Sequence, residues 1–326
     1  MALRARCSGL RLGLWANFGA SPPAIGQRGP PAGRGCGEAR STAGVRMYSA
    51  SKTTVEPGEM KKFQALSQKW WDRNGEFAAL HSLNDLRVPF IRDRLLMYSE
   101  KTHLGYPLDG FRILDVGCGG GLLCEPLGRL GALVVGIDPL EENIRTAELH
   151  RSFDPVLTRQ VEYTACALEE MAMEATGTFD AVVASEVVEH VNDVGTFIGC
   201  AAQVLKPEGS LFITTINRTF LSYAMAIVAA EHVLRIVPSG THEWDKFISP
   251  ENLETFLTSS GFSVEAVNGM LFNPLFGSWT WISNCSVNYA LHAVKKKPSD
   301  VVSGRTNGQE HGSDRSESSG SPTDKL

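Results

Sequence analysis

The chain has 326 residues, with 31 Lys and Arg against 36 Asp and Glu, for a net charge of −5 at neutral pH. Seven arginines and a single acid, Glu38, fall in the first 46 residues, so that segment carries +6 and the remainder −11; a body this acidic lacks the basic footprint of a nucleic-acid binder, and no nucleic-acid partner is expected. The seven cysteines form no CxxC pair and no regular spacing, which argues against a disulfide framework or a structural zinc site and suits a reducing compartment.

An Arg-rich, Lys-free leader without a long apolar stretch has the composition of an organelle transit peptide rather than a secretory signal. Arg46-Met47-Tyr48-Ser49 looks like a matrix-protease cleavage site. A mitochondrial transit peptide is therefore expected over 1–48, a disordered basic arm being the plainer alternative. The far end, 297–326, has almost no large apolar residue and is expected to be a disordered tail. What lies between, 49–296, reads as one domain with a helical N-terminal extension.

Phe63, Leu66 and Trp70 at helical spacing predict a helix over 56–71. Asn84 is a candidate cap for a second helix through Val88, Ile91, Leu95 and Leu96. A buried strand follows over 111–116, then a glycine turn over 117–121 and a helix over 122–130 that Gly131 closes. Strands are expected at 133–137, 161–164, 181–184 and 210–216, with helices at 141–150, 194–205 and 251–259. Two late strands are expected at 263–267 and 286–294. Strand–helix alternation implies an α/β, Rossmann-like fold, with a mostly parallel sheet and helices on both faces. Ligands of such sheets sit at the carboxyl ends of the strands, and every motif below falls there.

The glycine run after the first strand lets backbone approach a ligand closely. A dinucleotide fingerprint, G-x-G-x-x-G, would need a glycine where Leu122 stands. The pattern is instead D-x-G-x-G-x-G, from Asp115 through Gly117 and Gly119. A carboxylate at Asp115 would repel a pyrophosphate but suits the ammonium of a methionyl group. Asp138, closing the second strand, can accept from both ribose hydroxyls. A strand-end solvent contact for Asp115 and a helix N-cap for Asp138 are the structural alternatives, but order and spacing together point to S-adenosyl-L-methionine. Leu168, after the third strand, is placed to support the adenine; loop packing explains it nearly as well.

After the fourth strand come Glu186, Glu189 and His190. On a helix these lie at i, i+3 and i+4 and share one face. Two carboxylates and an imidazole can bind a divalent metal, or His190 can act as a general base positioned by a carboxylate, or the group can simply order the loop. Methyl transfer to a phenol favours some such device, because a phenol is a poor nucleophile until ionised. A metal on a catechol favours the phenolate by Lewis-acid polarisation.

Several segments resemble the ubiquinone biosynthesis O-methyltransferases, class I S-adenosylmethionine-dependent enzymes. They are Trp70-Trp71-Asp72 with Gly75, Phe77, Leu80-His81, Asn84 and Arg87; the glycine run; Glu186-Val-Val-Glu-His190; Thr214-Thr-Ile-Asn-Arg218; Val237-Pro-Ser-Gly-Thr-His242; and Val287-Asn288-Tyr289. With the Arg-rich leader, the mitochondrial branch is the closer match. The resemblance implies that Arg87 meets the cofactor's carboxylate, Gly117 the turn contact, Asp138 the ribose, and Ser185 a contact after the fourth strand. It also implies Mg²⁺ on Glu186, Glu189 and His190. The implied acceptors are polyprenyl phenols and quinols: 3,4-dihydroxy-5-polyprenylbenzoate and demethylubiquinol. The implied setting is the matrix side of the mitochondrial inner membrane, beside other proteins of a ubiquinone biosynthesis complex.

The longest apolar run begins at Phe220 and is too short to span a bilayer, which takes about 20 residues. An insertion over about 220–242 can lie in a membrane interface or form a buried core helix, and the lipid tail of the acceptors that the resemblance implies favours the interface. Two other functions remain open at this point. One is an inactive scaffold of methyltransferase fold, against which Asp115, Gly117 and Asp138 argue. The other is an O-methyltransferase for a soluble catechol that uses His190 as base.

Overall fold

The computed structural model describes residues 53–97, 105–219 and 246–297. The transit peptide expected over 1–48, the expected membrane-facing insertion and nearly all of the expected C-terminal tail lie outside the described residues. Within them, five short apolar runs pair in parallel. These are β1 (Arg112–Val116), β2 (Leu133–Asp138), β3 (Val161–Ala165), β4 (Phe179–Ser185) and β5 (Leu205–Ile216). Three more strands, β6 (Phe262–Asn273), β7 (Ser278–Ile282) and β8 (Asn288–Lys295), extend the sheet antiparallel. The spatial order is β3-β2-β1-β4-β5-β8-β6-β7.

The two-residue period of the strands sorts their side chains to two faces. Ile113, Ala181, Val183 and Phe212 join one buried cluster, while Leu114, Val116, Val182, Ala184 and Ile213 join another. The first face is covered by α2 (Ala78–Met97), α3 (Cys124–Arg129), α4 (Glu141–Arg151) and the short α5 (Leu157–Gln160), through Ile91, Leu95, Leu127, Ile144 and Leu157. The second is covered by α6 (Leu168–Glu174), α7 (Val194–Val204) and α8 (Pro250–Ser259), through Ala172, Phe197, Ala201, Leu253 and Leu257. Local chemistry starts the last two helices: the Asp193 carboxylate accepts from the Thr196 amide, and Ser249 accepts from Asn252 ahead of Pro250.

Three expectations need correction. The helix expected over 56–71 stops early: α1 is Pro57–Gln64, and a separate 3-10 turn, Ser67–Lys69, follows. That break turns Trp70 and Trp71 toward the glycine loop. Asn84 is not a cap, since α2 begins at Ala78; its Nδ2 instead donates to the Leu122 carbonyl at 2.8 Å. The strand expected to end at 267 runs on to Asn273 and returns as β7, a hairpin that pairs Gly269 with Ile282 and Asn273 with Ser278. Aromatic residues of irregular spacing between Phe272 and Trp281 hid that hairpin from a period-two reading.

The order of strands places the site. β1 has β2 on one side and β4 on the other, so the connections leave β1 in opposite directions and open a crevice at its carboxyl end.

Candidate functional site

A cavity of about 360 Å³ fills that crevice, lined among others by Asp115, Gly117, Asp138, Leu168, Ser185, Glu186, Glu189 and His190. Four strand ends therefore deliver residues to one space. The glycine turn is held open by its own backbone: Gly117 and Gly119 have φ of +67° and +53°, in the left-handed region that favours glycine. Trp70 lies directly over the turn. A Cβ on Gly119 would come 2.5 Å from the Trp70 ring, and one on Gly120 2.3 Å from the Trp70 Cβ. Trp70 is fixed in turn by its Nε1, which donates to Asn143 Oδ1 at 2.8 Å, and by a stacked Phe77 ring at 3.8 Å. Trp71 Nε1 donates to the Gly120 carbonyl at 2.9 Å, and its ring stacks on His150 at 3.3 Å. The segment from Trp70 to Arg87 thus clamps the turn.

Asp115 is 3% exposed and accepts from Cys124 Sγ at 3.0 Å. Burial pushes its titration from 3.8 up to about 6, against the pull of the Cys124 bond and of Arg87. It is not the solvent contact of the structural alternative. Asp138 Oδ2 accepts from the Gly119 amide at 3.0 Å, while Oδ1 accepts from Leu140 N and Asn143 Nδ2 at 2.9 and 3.1 Å. Asp138 is not the N-cap of α4, a place that Leu140 takes; it shapes the turn before that helix and lines the cavity. Burial raises its titration above the usual range.

Arg87 is buried although it carries a charge. It is 4% exposed, its Nε donates to Asn84 Oδ1 at 2.7 Å and its Nη1 to Ser185 Oγ at 2.7 Å. Ser185 Oγ also shares a hydrogen bond with Thr214 Oγ1 at 2.6 Å. Desolvation weakens the guanidinium's hold on its proton, and the nearby charges of Asp115 and Glu186 oppose that.

Glu186, Glu189 and His190 do not share a helix face. Glu186 has φ of +58°, a left-handed turn out of β4, and only a short 3-10 turn, Val188–His190, follows. Each side chain takes its own partner. Thr214 Oγ1 donates to Glu186 Oε1 at 2.8 Å, and Thr215 Oγ1 donates to Glu189 Oε2 at 2.7 Å. His190 Nδ1 sits 3.0 Å from Glu59 Oε2, a carboxylate of α1. Burial and the charge of Glu189 push Glu186 up to about 7. Burial alone would lower His190, but the Glu59 bond and the surrounding carboxylates outweigh it and raise its titration. Among the described residues, no three His, Cys, Asp or Glu side chains stand together as a metal site.

A family model for a methyltransferase domain matches residues 90–267. The human mitochondrial ubiquinone biosynthesis O-methyltransferase is 62% identical over 253 residues, covering 78% of this chain and 69% of that one. The ubiquinone biosynthesis O-methyltransferase of Azorhizobium caulinodans is 45% identical over 251 residues, covering 75% of this chain and 96% of that one. This chain belongs to the ubiquinone biosynthesis O-methyltransferase family. The methyltransferase is an S-adenosylmethionine-dependent enzyme. Among solved structures, magnesium protoporphyrin IX methyltransferase from Synechocystis PCC 6803 with bound SAM superposes at a TM-score of 0.48 and 16% identity, over 75% of this chain and 100% of that one.

Sequence reading of the methyltransferase missed four groups that this geometry brings in: Trp70 as the cover of the glycine turn, Asn143 as the link from Trp70 to Asp138, Glu59 as the partner of His190, and the Thr214-Thr215 pair. Only Thr214-Thr215 and Trp70 stood in segments already singled out. Glu59 lies in α1, 131 residues before His190, and no local spacing connects them.

Proposed function

We propose that this chain, in the mitochondrion, methylates the phenolic hydroxyls of 3,4-dihydroxy-5-polyprenylbenzoate and of demethylubiquinol. The single observation that carries the reading is one cavity whose wall runs from Asp115 and Asp138 to Glu186 and His190. It provides a cofactor half and a proton-accepting half side by side. S-adenosyl-L-methionine, when bound, supplies an electrophilic methyl group on sulfur. Asp138 and Gly117 would hold its ribose and turn contacts, Leu168 its adenine, and Asp115, Gly119, Arg87 and Ser185 its amino-acid end. With Nδ1 donating to Glu59, His190 keeps Nε2 as an acceptor for the phenolic proton. Glu186 and Glu189, locked by Thr214 and Thr215, place two carboxyl groups on that wall, where they would stabilise the imidazolium that forms. With its proton on His190, the phenolic oxygen would be the nucleophile for that methyl group.

Mg²⁺ suits the donor chemistry of Glu186, Glu189 and His190, yet each of these side chains is already turned to a separate partner. No step is therefore routed through a metal. An assay of both acceptors with and without chelator decides the matter: turnover should survive chelation and fall by about a hundredfold or more in His190→Ala. Abolition by chelator with recovery on added Mg²⁺ overturns the role given to His190. Failure to bind S-adenosylmethionine by calorimetry supports the inactive-scaffold reading instead. Turnover of soluble catechols alone supports the third reading.

The transit peptide over 1–48, docking on the matrix face of the inner membrane through the stretch 220–242, and assembly with other ubiquinone biosynthesis proteins belong to the same proposal. Among the described residues no helix is long and apolar enough to cross a membrane. Vesicle flotation of the full chain against a deletion of 220–237 tests the docking.

A further inference from the structure

The β6–β7 hairpin presents an apolar surface that the site described above does not use. Leu275 and Phe276, at its tip, are 88% and 79% exposed, the two most exposed large apolar side chains among the described residues. The tip is shaped to keep them out: the Leu275 amide donates to Asn273 Oδ1 at 3.0 Å, and Gly277 turns the chain with φ of +60°. Pro274 stands before them. From Asn268 to Asn288 the sequence holds no Asp, Glu, Lys, Arg or His. Leu149 and Phe153, 63% and 74% exposed, are interleaved with Glu148, Arg151 and Asp154, and Met97 and Met173, 68% and 61% exposed, stand singly near Arg94 and beside Glu174; these read as solvated helix ends.

The same hairpin reaches the cavity. Leu271, Phe272, Pro274 and Trp279 line it, the Phe272 and Trp279 rings meet at 5.3 Å, and Trp279 is anchored by a bond from its Nε1 to the Ala79 carbonyl at 2.8 Å. Exposed tip and cavity wall are thus one continuous apolar, uncharged path. A lipid surface fits that combination better than a protein partner. Leu275 and Phe276 gain by leaving water. No charge has to be desolvated on entry. Indole rings such as Trp281, 41% exposed on the same hairpin, favour the boundary between water and hydrocarbon.

We infer that the β6–β7 hairpin tip inserts Leu275 and Phe276 into a lipid surface, so that the acceptor's lipid tail passes from the membrane into the cavity along Leu271, Phe272 and Trp279. The tail route rests on the acceptor proposed above; the insertion does not.

The test uses the full chain and vesicles of phosphatidylcholine and cardiolipin. Leu275→Ser/Phe276→Ser keeps the tip neutral and leaves its turn intact. Its vesicle partition, read by co-sedimentation, should fall by about a hundredfold, roughly tenfold for each side chain, with S-adenosylmethionine binding unchanged. Leu275→Trp/Phe276→Trp should restore it. Should the double variant lose S-adenosylmethionine binding, Phe276→Ser alone, with a fall of about tenfold, takes its place. Unchanged partition overturns the insertion, as does self-association of the wild type that the serine variant abolishes without lipid. For the route, KM for a long-chain acceptor in vesicles should rise while kcat for a short-chain analogue stays constant; equal losses on both overturn it. A wild type that partitions but methylates neither acceptor defeats the proposed acceptor and leaves the insertion standing.

Discussion

Replacing Asp115 by Asn should make the protein more stable and its cofactor site worse. In the folded chain Asp115 titrates at about 6 rather than 3.8, because burial disfavours its charge more than Cys124 and Arg87 favour it. At about 1.4 kcal/mol for each tenfold in proton affinity, holding the carboxylate ionised costs up to about 3 kcal/mol of stability. The sign follows from the raised value. Between these two pH values the unfolded chain has released the proton and the folded chain has not, so stability falls as pH rises through the window. Above about pH 6 the loss is complete. An amide in place of the carboxyl abolishes the titration and keeps an oxygen for Cys124 Sγ. Urea unfolding should therefore show Asp115→Asn more stable by about 3 kcal/mol at pH 8, shrinking to about 1 kcal/mol at pH 4.5. Calorimetry at pH 8 should show weaker S-adenosylmethionine binding, by about tenfold or more, since a charge facing the ammonium is gone. A variant equally stable at pH 8, or with a gain independent of pH, refutes the burial argument. An unchanged affinity refutes the role of Asp115 in the cofactor site.

Two further outcomes test the fold around the site. Gly119→Ala should cost about 2–4 kcal/mol, from a left-handed φ together with a Cβ driven into Trp70, and should weaken cofactor binding; a fully stable variant would show that Trp70 moves freely. His292 is buried against Phe212 at 4.7 Å and shares a hydrogen bond with Ser210 Oγ, and burial lowers its titration to about 4. Below about pH 6.5 the unfolded chain gains a proton that the folded chain refuses, so stability should fall by up to about 3 kcal/mol between pH 6.5 and 4. Replacing His292 by Phe should flatten that limb of the urea midpoint against pH, and an identical slope in both proteins would count against it.

Much of this protein is written locally. Alternation of buried runs with helical segments set the α/β class, and the two faces of the sheet repeat what the period of β1 and β4 shows residue by residue. Asp115, Gly117 and Asp138 were legible as residues of one cavity because they stand at the ends of adjacent strands. The structure decided what depends on contacts far apart in the chain. Arg87 is singled out in the sequence by the family resemblance alone, and it is packing of α2 on the sheet that buries it beside Ser185. Glu186 and His190 read as one helix face, yet the left-handed turn at Glu186 sends them to Thr214 and to Glu59. A helical period assumes a helix, and here the chain leaving β4 forms only the short 3-10 turn Val188–His190, with its side chains bonded to Thr214, Thr215 and Glu59. Local spacing therefore named the cofactor; only tertiary packing decided how Glu186, Glu189 and His190 are held.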